Sequence, residues 1–155
     1  MPRKFLVVVD DTPEFDSALR FAARRARSTG GRVVLLRAIP PSAFEHWSGV
    51  REEIERQQRE EAEALLNRIG EKAAALSGAA PVFLVEEAET REAIIRAVDA
   101  DPEIKILVLA AAVGARGPGP LVAAMAKEGA GVGGRRLPIT VVPGDLDDQE
   151  VEDLA

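Results

Sequence analysis

Five short apolar runs punctuate the chain, and amphipathic stretches fill the intervals between them. Residues Lys4 to Val9 stay apolar without alternation once past the lysine, the pattern of a strand buried on both faces. The run stops at Asp10-Asp11-Thr12-Pro13. There Thr12 is placed to cap a helix, and Pro13 suits the first helical position, where its missing N–H is not needed. Phe15, Ala18, Leu19, Ala22, Ala23 and Ala26 then recur on one helical face until Gly30-Gly31. Arg32 to Ile39 predicts a second strand, closed by Pro40-Pro41. A long helix is predicted from about Val50 to Ser77, with Ala62, Leu65, Leu66, Ile69, Ala73 and Leu76 on one stripe. Its other face is mainly Glu, Arg and Gln and reads as a solvated surface.

The second half repeats the alternation. Pro81 to Glu86 predicts a third strand, and Thr90 is placed to cap a third helix over Arg91 to Ala100, which Asp101-Pro102 stops. Ile104 to Ala112 is the most apolar run and predicts a fourth strand. A loop over Val113 to Gly119 leads to a short helix near Pro120 to Lys127. A glycine-rich stretch, Glu128 to Arg136, leads to the last strand, Leu137 to Val142, closed by Pro143-Gly144. Apolar strands alternating with amphipathic helices predict an α/β fold: one doubly wound, five-stranded parallel sheet with helices on both faces and right-handed crossovers. Ligands of such sheets bind beyond the carboxyl ends of the strands, where the strand order reverses. That points to Asp10 to Thr12 and to Val113 to Gly119.

Composition narrows the function. At 155 residues the chain is long enough for one domain with its own core. It has no cysteine and no tyrosine, one histidine (His46) and one tryptophan (Trp47). Disulfides and thiolate sites are therefore excluded, and the side chains most used for base catalysis and nucleobase stacking are scarce. The charge of −6 disfavours a nucleic-acid partner. No run approaches the ~20 apolar residues of a membrane span, and the opening Met-Pro-Arg-Lys lacks a signal peptide's apolar stretch. A cytoplasmic protein with no membrane partner is expected. Its domain is expected over residues 1–144, followed by an acidic tail, 145–155.

The stretches Phe5-Leu-Val-Val-Val-Asp10-Asp-Thr12, Val33-Val-Leu-Leu-Arg-Ala-Ile39, Gly117-Pro-Gly-Pro-Leu121 and Ile139-Thr-Val-Val-Pro-Gly144, in this order and spacing, resemble the universal stress protein family over residues 3 to 144. The resemblance implies strand order 3-2-1-4-5. It also implies a site for ATP or AMP with magnesium in many members, and no nucleotide in others. Asp10 stands where the family has an aspartate that holds the ribose or positions the base, and Thr12 where it has a small hydroxyl residue. Val8 and Ala38 would flank the base, and Arg37 takes a histidine's place.

Nucleotide-binding members carry a glycine pair after the fourth strand, then a glycine with serine or threonine nine residues later. Glycines let backbone approach phosphate, and the next helix offers free N–H groups. Here the first glycine falls on Ala110, and the second on Gly117 after an insertion holding Gly114 and Arg116; Gly119 follows. Where the last glycine is due stand Lys127-Glu128, with Gly129-Ala130 as the nearest substitute. Two of three phosphate positions therefore depart from the pattern. Gly129, Gly131, Gly133 and Gly134 followed by Arg135-Arg136 offer a compensating anion wrap or, alternatively, a plain connector. They lead into a strand, so they are no dinucleotide fingerprint.

Asp10 also reads as a strand-end residue bonded to nearby backbone, and Asp10 with Asp11 as a water-mediated magnesium site. Phe44, His46 and Trp47 read as connector packing or as one wall of a pocket. The tail carries six acids and no base and reads as mobile and solvated, with room for one short helical turn; its spacing does not fit a calcium loop. The resemblance implies a homodimer through Pro138 to Pro143. The expected function is regulatory and non-enzymatic. The alternative is an interaction or scaffold protein without nucleotide, acting on an unknown partner.

Overall fold

The structure, a computed structural model, describes residues 3–41, 48–128, 131–132 and 135–155. Strand β1 (Lys4–Val8) lies at the centre because both its faces are apolar. Phe5 and Val7 are buried on one side, Leu6 and Val8 on the other. It pairs in parallel with β2 (Arg32–Ile39), Phe5 opposite Val33, and with β4 (Ile104–Ala111), Phe5 opposite Ile106. Outside these lie β3 (Val82–Glu87) and β7 (Ile139–Pro143), giving the order β3-β2-β1-β4-β7. This is the expected order. The last strand is the seventh only because the glycine-rich connector forms a small antiparallel ribbon, β5 (Gly131–Val132) with β6 (Arg135–Arg136).

Helices α1 (Phe15–Thr29) and α2 (Ser48–Ser77) cover one face of the sheet. Phe5, Val7, Val33 and Leu35 meet Leu19, Ala22 and Ala26 of α1 and Leu66 and Ala73 of α2 there. Helices α3 (Thr90–Ala100) and α4 (Pro120–Glu128) cover the other, packing Ile94, Val98 and Met125 on Leu6, Val34, Leu36 and Leu107. Small alanines on α1 let it lie close to the sheet, and the predicted stripe of α2 is the face it buries. No helix among the described residues is long and apolar enough to cross a membrane.

Three local expectations are corrected. Helix α1 begins at Phe15, not Pro13, and Thr12 does not cap it with its hydroxyl, which turns back to Asp10. Thr90 lies inside α3, whose preceding residue Glu89 makes no side-chain cap. The six acids of the tail are exposed, as expected, but the tail is longer in helix than one short turn and is docked. Residues Asp148–Leu154 form a helix, α5, started by a capping box in which Asp147 accepts from the Glu150 N–H and Glu150 accepts from the Asp147 N–H. Leu146 and Val151 are buried against α1 and the sheet. Arg20 of α1 donates to Asp148 and, at 2.7 Å, to the Leu146 carbonyl, and Arg24 pairs with Glu152 at 2.9 Å. Two acids of the tail thus answer arginines of α1. Phe44, His46, Trp47, Gly129, Ala130, Gly133 and Gly134 lie outside the described residues.

Candidate functional site

The carboxyl ends of β1 and β4 diverge to opposite neighbours, and the chain turns sharply at each. After β1 the Thr12 N–H and Oγ1 both donate to Asp10 Oδ1, at 3.0 and 2.5 Å. This is the geometry of an Asx turn, and it fixes the carboxylate at the strand end. Asp11 points elsewhere, to Arg37 at 3.4 Å, while the same guanidinium donates to the Val9 carbonyl at 3.0 Å. The two aspartates thus have different partners and do not converge.

After β4 a short 3₁₀ turn, Gly114–Arg116, folds the loop back on the strand. The Ala112 N–H donates to the Pro118 carbonyl at 3.1 Å. Gly117 is held against the strand so closely that a Cβ there would lie 2.1 Å from the Ala112 oxygen. Gly119 has φ +100, and a Cβ there would meet nothing within 4 Å. Its carbonyl accepts from the Ala123 N–H at 3.0 Å and so opens α4. The first-turn N–H groups of α4 beyond Pro120, those of Leu121 and Val122, belong to the set that a helix leaves without an internal partner.

Between these turns lies a cleft of about 80 Å³ that brings together Val8, Asp10, Thr12, Ala110 and Gly119. Glu14 lines the same cleft and is 9% exposed. Sequence reasoning missed it; its place directly after Pro13, before an apolar helical face, is the signal that could have found it. Ala38 packs with Val8 in the α3 face of the core but opens onto a neighbouring cavity of about 530 Å³ between the end of β2 and α2, beside Asp11, Arg37 and Arg68. Of the expected glycines, Gly119 faces the cleft, whereas Gly117 serves the fold of the loop.

Arg135 and Arg136 are not part of this site. Arg135 donates to the carbonyls of Val98 (2.7 Å), Asp101 (3.1 Å) and Pro102 (3.3 Å), at the carboxyl terminus of α3. A cation is favoured there by the orphan carbonyls of the helix end. Arg136 follows in the same ribbon, opposite Gly131. This is the amino end of β4, and the eight residues of that strand put it about 23 Å from the cleft. The physical reason is that α4 runs back against the strand direction, so the connector after it starts at the wrong end of the sheet. The charges there are structural. Lys4 Nζ sits 2.7 Å from Asp101 and 3.2 Å from Glu103. The hydrogen bond to Asp101 raises the Lys4 pKa against partial desolvation. At Asp101 burial pushes the carboxyl up, but the bonds from Lys4 and from the Glu103 N–H, with Arg135 nearby, hold it below the usual carboxylate range.

The model of the universal stress protein family matches residues 1–122. The chain belongs to the universal stress protein family. Its fold is that of solved members. It is similar to universal stress protein UspA from Lactobacillus plantarum, with 17% identity, TM-score 0.73, and 90% of this chain and 97% of that one covered. A universal stress protein solved in complex with cAMP is similar at 15% identity and TM-score 0.65, with 93% and 98% covered. One from Archaeoglobus fulgidus in complex with dAMP is similar at 17% and 0.53, with 92% and 98% covered. At such identities the likeness establishes the fold alone. Among curated proteins none matches the chain.

Proposed function

We propose that this universal stress protein is a cytoplasmic regulatory protein that binds an adenine nucleoside monophosphate and catalyses no turnover. The observation that carries this reading is the pairing, across one cleft, of a fixed carboxylate at Asp10 with the open backbone at Gly119 that begins α4. The carboxylate suits sugar hydroxyls, and the Leu121 and Val122 N–H groups at the positive end of α4 suit one phosphate. The members of this fold solved with cAMP and with dAMP, each a single-phosphate ligand, support the reading. Two observations weigh against a triphosphate and its magnesium: the buried Glu14 lines the cleft, and Arg135 is engaged at the far end of the sheet.

Glu14 and the lost glycine at Ala110 also favour a second reading, an interaction protein of the same fold without nucleotide. Calorimetric titration of AMP and cAMP separates the two. Saturable binding that Asp10→Ala weakens by about tenfold or more supports the site. No heat up to millimolar nucleotide moves the function to the protein's surfaces.

We further propose a homodimer through β7. It is the last strand in the sheet order, and Val141 is 46% exposed on it, a combination that natural proteins cover. Val141→Lys should shift sedimentation from dimer to monomer; a wild-type chain that sediments as a monomer contradicts the pairing.

A further inference from the structure

Another cavity lies on the α1 face of the sheet, away from the carboxyl ends of the strands. Its volume is about 270 Å³. Phe5, Ile106, Val108 and Thr140 form the floor, from β1, β4 and β7; Phe5 and Val108 are each 1% exposed. Phe21 and Arg25 of α1 wall one side, and Leu154 of α5, which is exposed, stands at the rim. The topology explains the gap. Helices α1 and α2 cover this face and α3 and α4 the other; α2 lies over β2 and β3, and α1 reaches from β2 across to β7. Beyond α1 stands α5, which is seven residues long and packs against α1.

Arg25 is the one charged residue in the wall, and it has no ion pair or side-chain hydrogen bond among the described residues. The acids of α5 are engaged elsewhere. Asp148 binds Arg20, Glu152 pairs with Arg24, Asp153 accepts from Gln149, and Glu150 belongs to the capping box. A guanidinium thus stands in the wall of an apolar cavity with no acid paired to it among the described residues. Uncharged ligands would leave it unused, and polyanions would not suit the floor.

We propose that this cavity binds a small monocarboxylate with an apolar body. The carboxylate meets Arg25 in a charge-assisted hydrogen bond, and the body rests on Phe5, Ile106 and Val108. Benzoate and octanoate both combine one carboxylate with an apolar body and serve as probes of this chemistry. This site is independent of the cleft at Asp10.

The test titrates benzoate and octanoate into the full-length protein by calorimetry, with benzylamine as a probe of the same body and opposite charge. Saturable binding of the acids at one site per chain is expected, with none of the amine. Arg25→Gln, an exposed substitution, should weaken binding about ten- to a hundredfold at unchanged thermal stability. Thr140→Phe, which fills the floor, should abolish it. Absence of saturation by either acid overturns the proposal, as does equal affinity in Arg25→Gln or equal binding of benzylamine. So does a shift in sedimentation caused by Arg25→Gln without any acid bound, which would assign the cavity to a second copy of the chain.

Discussion

Gly117 and Gly119 stand two residues apart and answer different demands. At Gly117 the backbone dihedral is ordinary, but the Ala112 carbonyl leaves no room for a Cβ. At Gly119 there is room, but the φ of +100 is one that side chains rarely adopt. Gly117→Ala should therefore push the loop off β4 and cost about 1–3 kcal/mol in urea unfolding, the usual range for a forced steric clash in a packed region. An unchanged midpoint would show that the loop is not held as described. Asp10 and Thr12 were legible in the sequence, because a carboxylate two residues before a hydroxyl at a strand end is a local Asx pattern. Arg135 was not. Its glycine-rich setting suggests phosphate from local chemistry, but its role is decided by the direction in which α4 runs.

At the scale of elements the apolar periodicities predicted every strand of the main sheet and the four large helices to within two residues. Helix α5 escaped because only Leu146, Val151 and Leu154 mark it, and its stabilising partners Arg20 and Arg24 lie more than a hundred positions earlier. Acids without local bases read as a loose tail, whereas two of these exposed acids, Asp148 and Glu152, pair across space with arginines of α1. Val151 is 5% exposed beneath α1. Val151→Ala should destabilise by about 1–3 kcal/mol from lost burial and the cavity left behind. Asp147→Ala should cost about 1 kcal/mol through the lost cap. Thermal unfolding of the two variants checks both; wild-type stability in each would return the tail to solvent.

For the whole molecule, the two ends of the sheet have separate duties. The amino end is tied by Lys4, Asp101, Glu103 and Arg135 into a structural cluster. The carboxyl end leaves the Asp10 carboxylate and the start of α4 facing one cleft. The strand order alone located that end, since the reversal between β1 and β4 is a property of the topology. What it could not give was the capacity of the cleft, which depends on the fold of the loop after β4 and on Glu14. The measurement that bears most directly on this account is a paired calorimetric titration of AMP and ATP, with and without magnesium, into protein freed of retained small molecules. The account predicts that AMP saturates the site and that ATP binds about tenfold more weakly or worse, with no rescue by magnesium. ATP binding as tightly as AMP would contradict it.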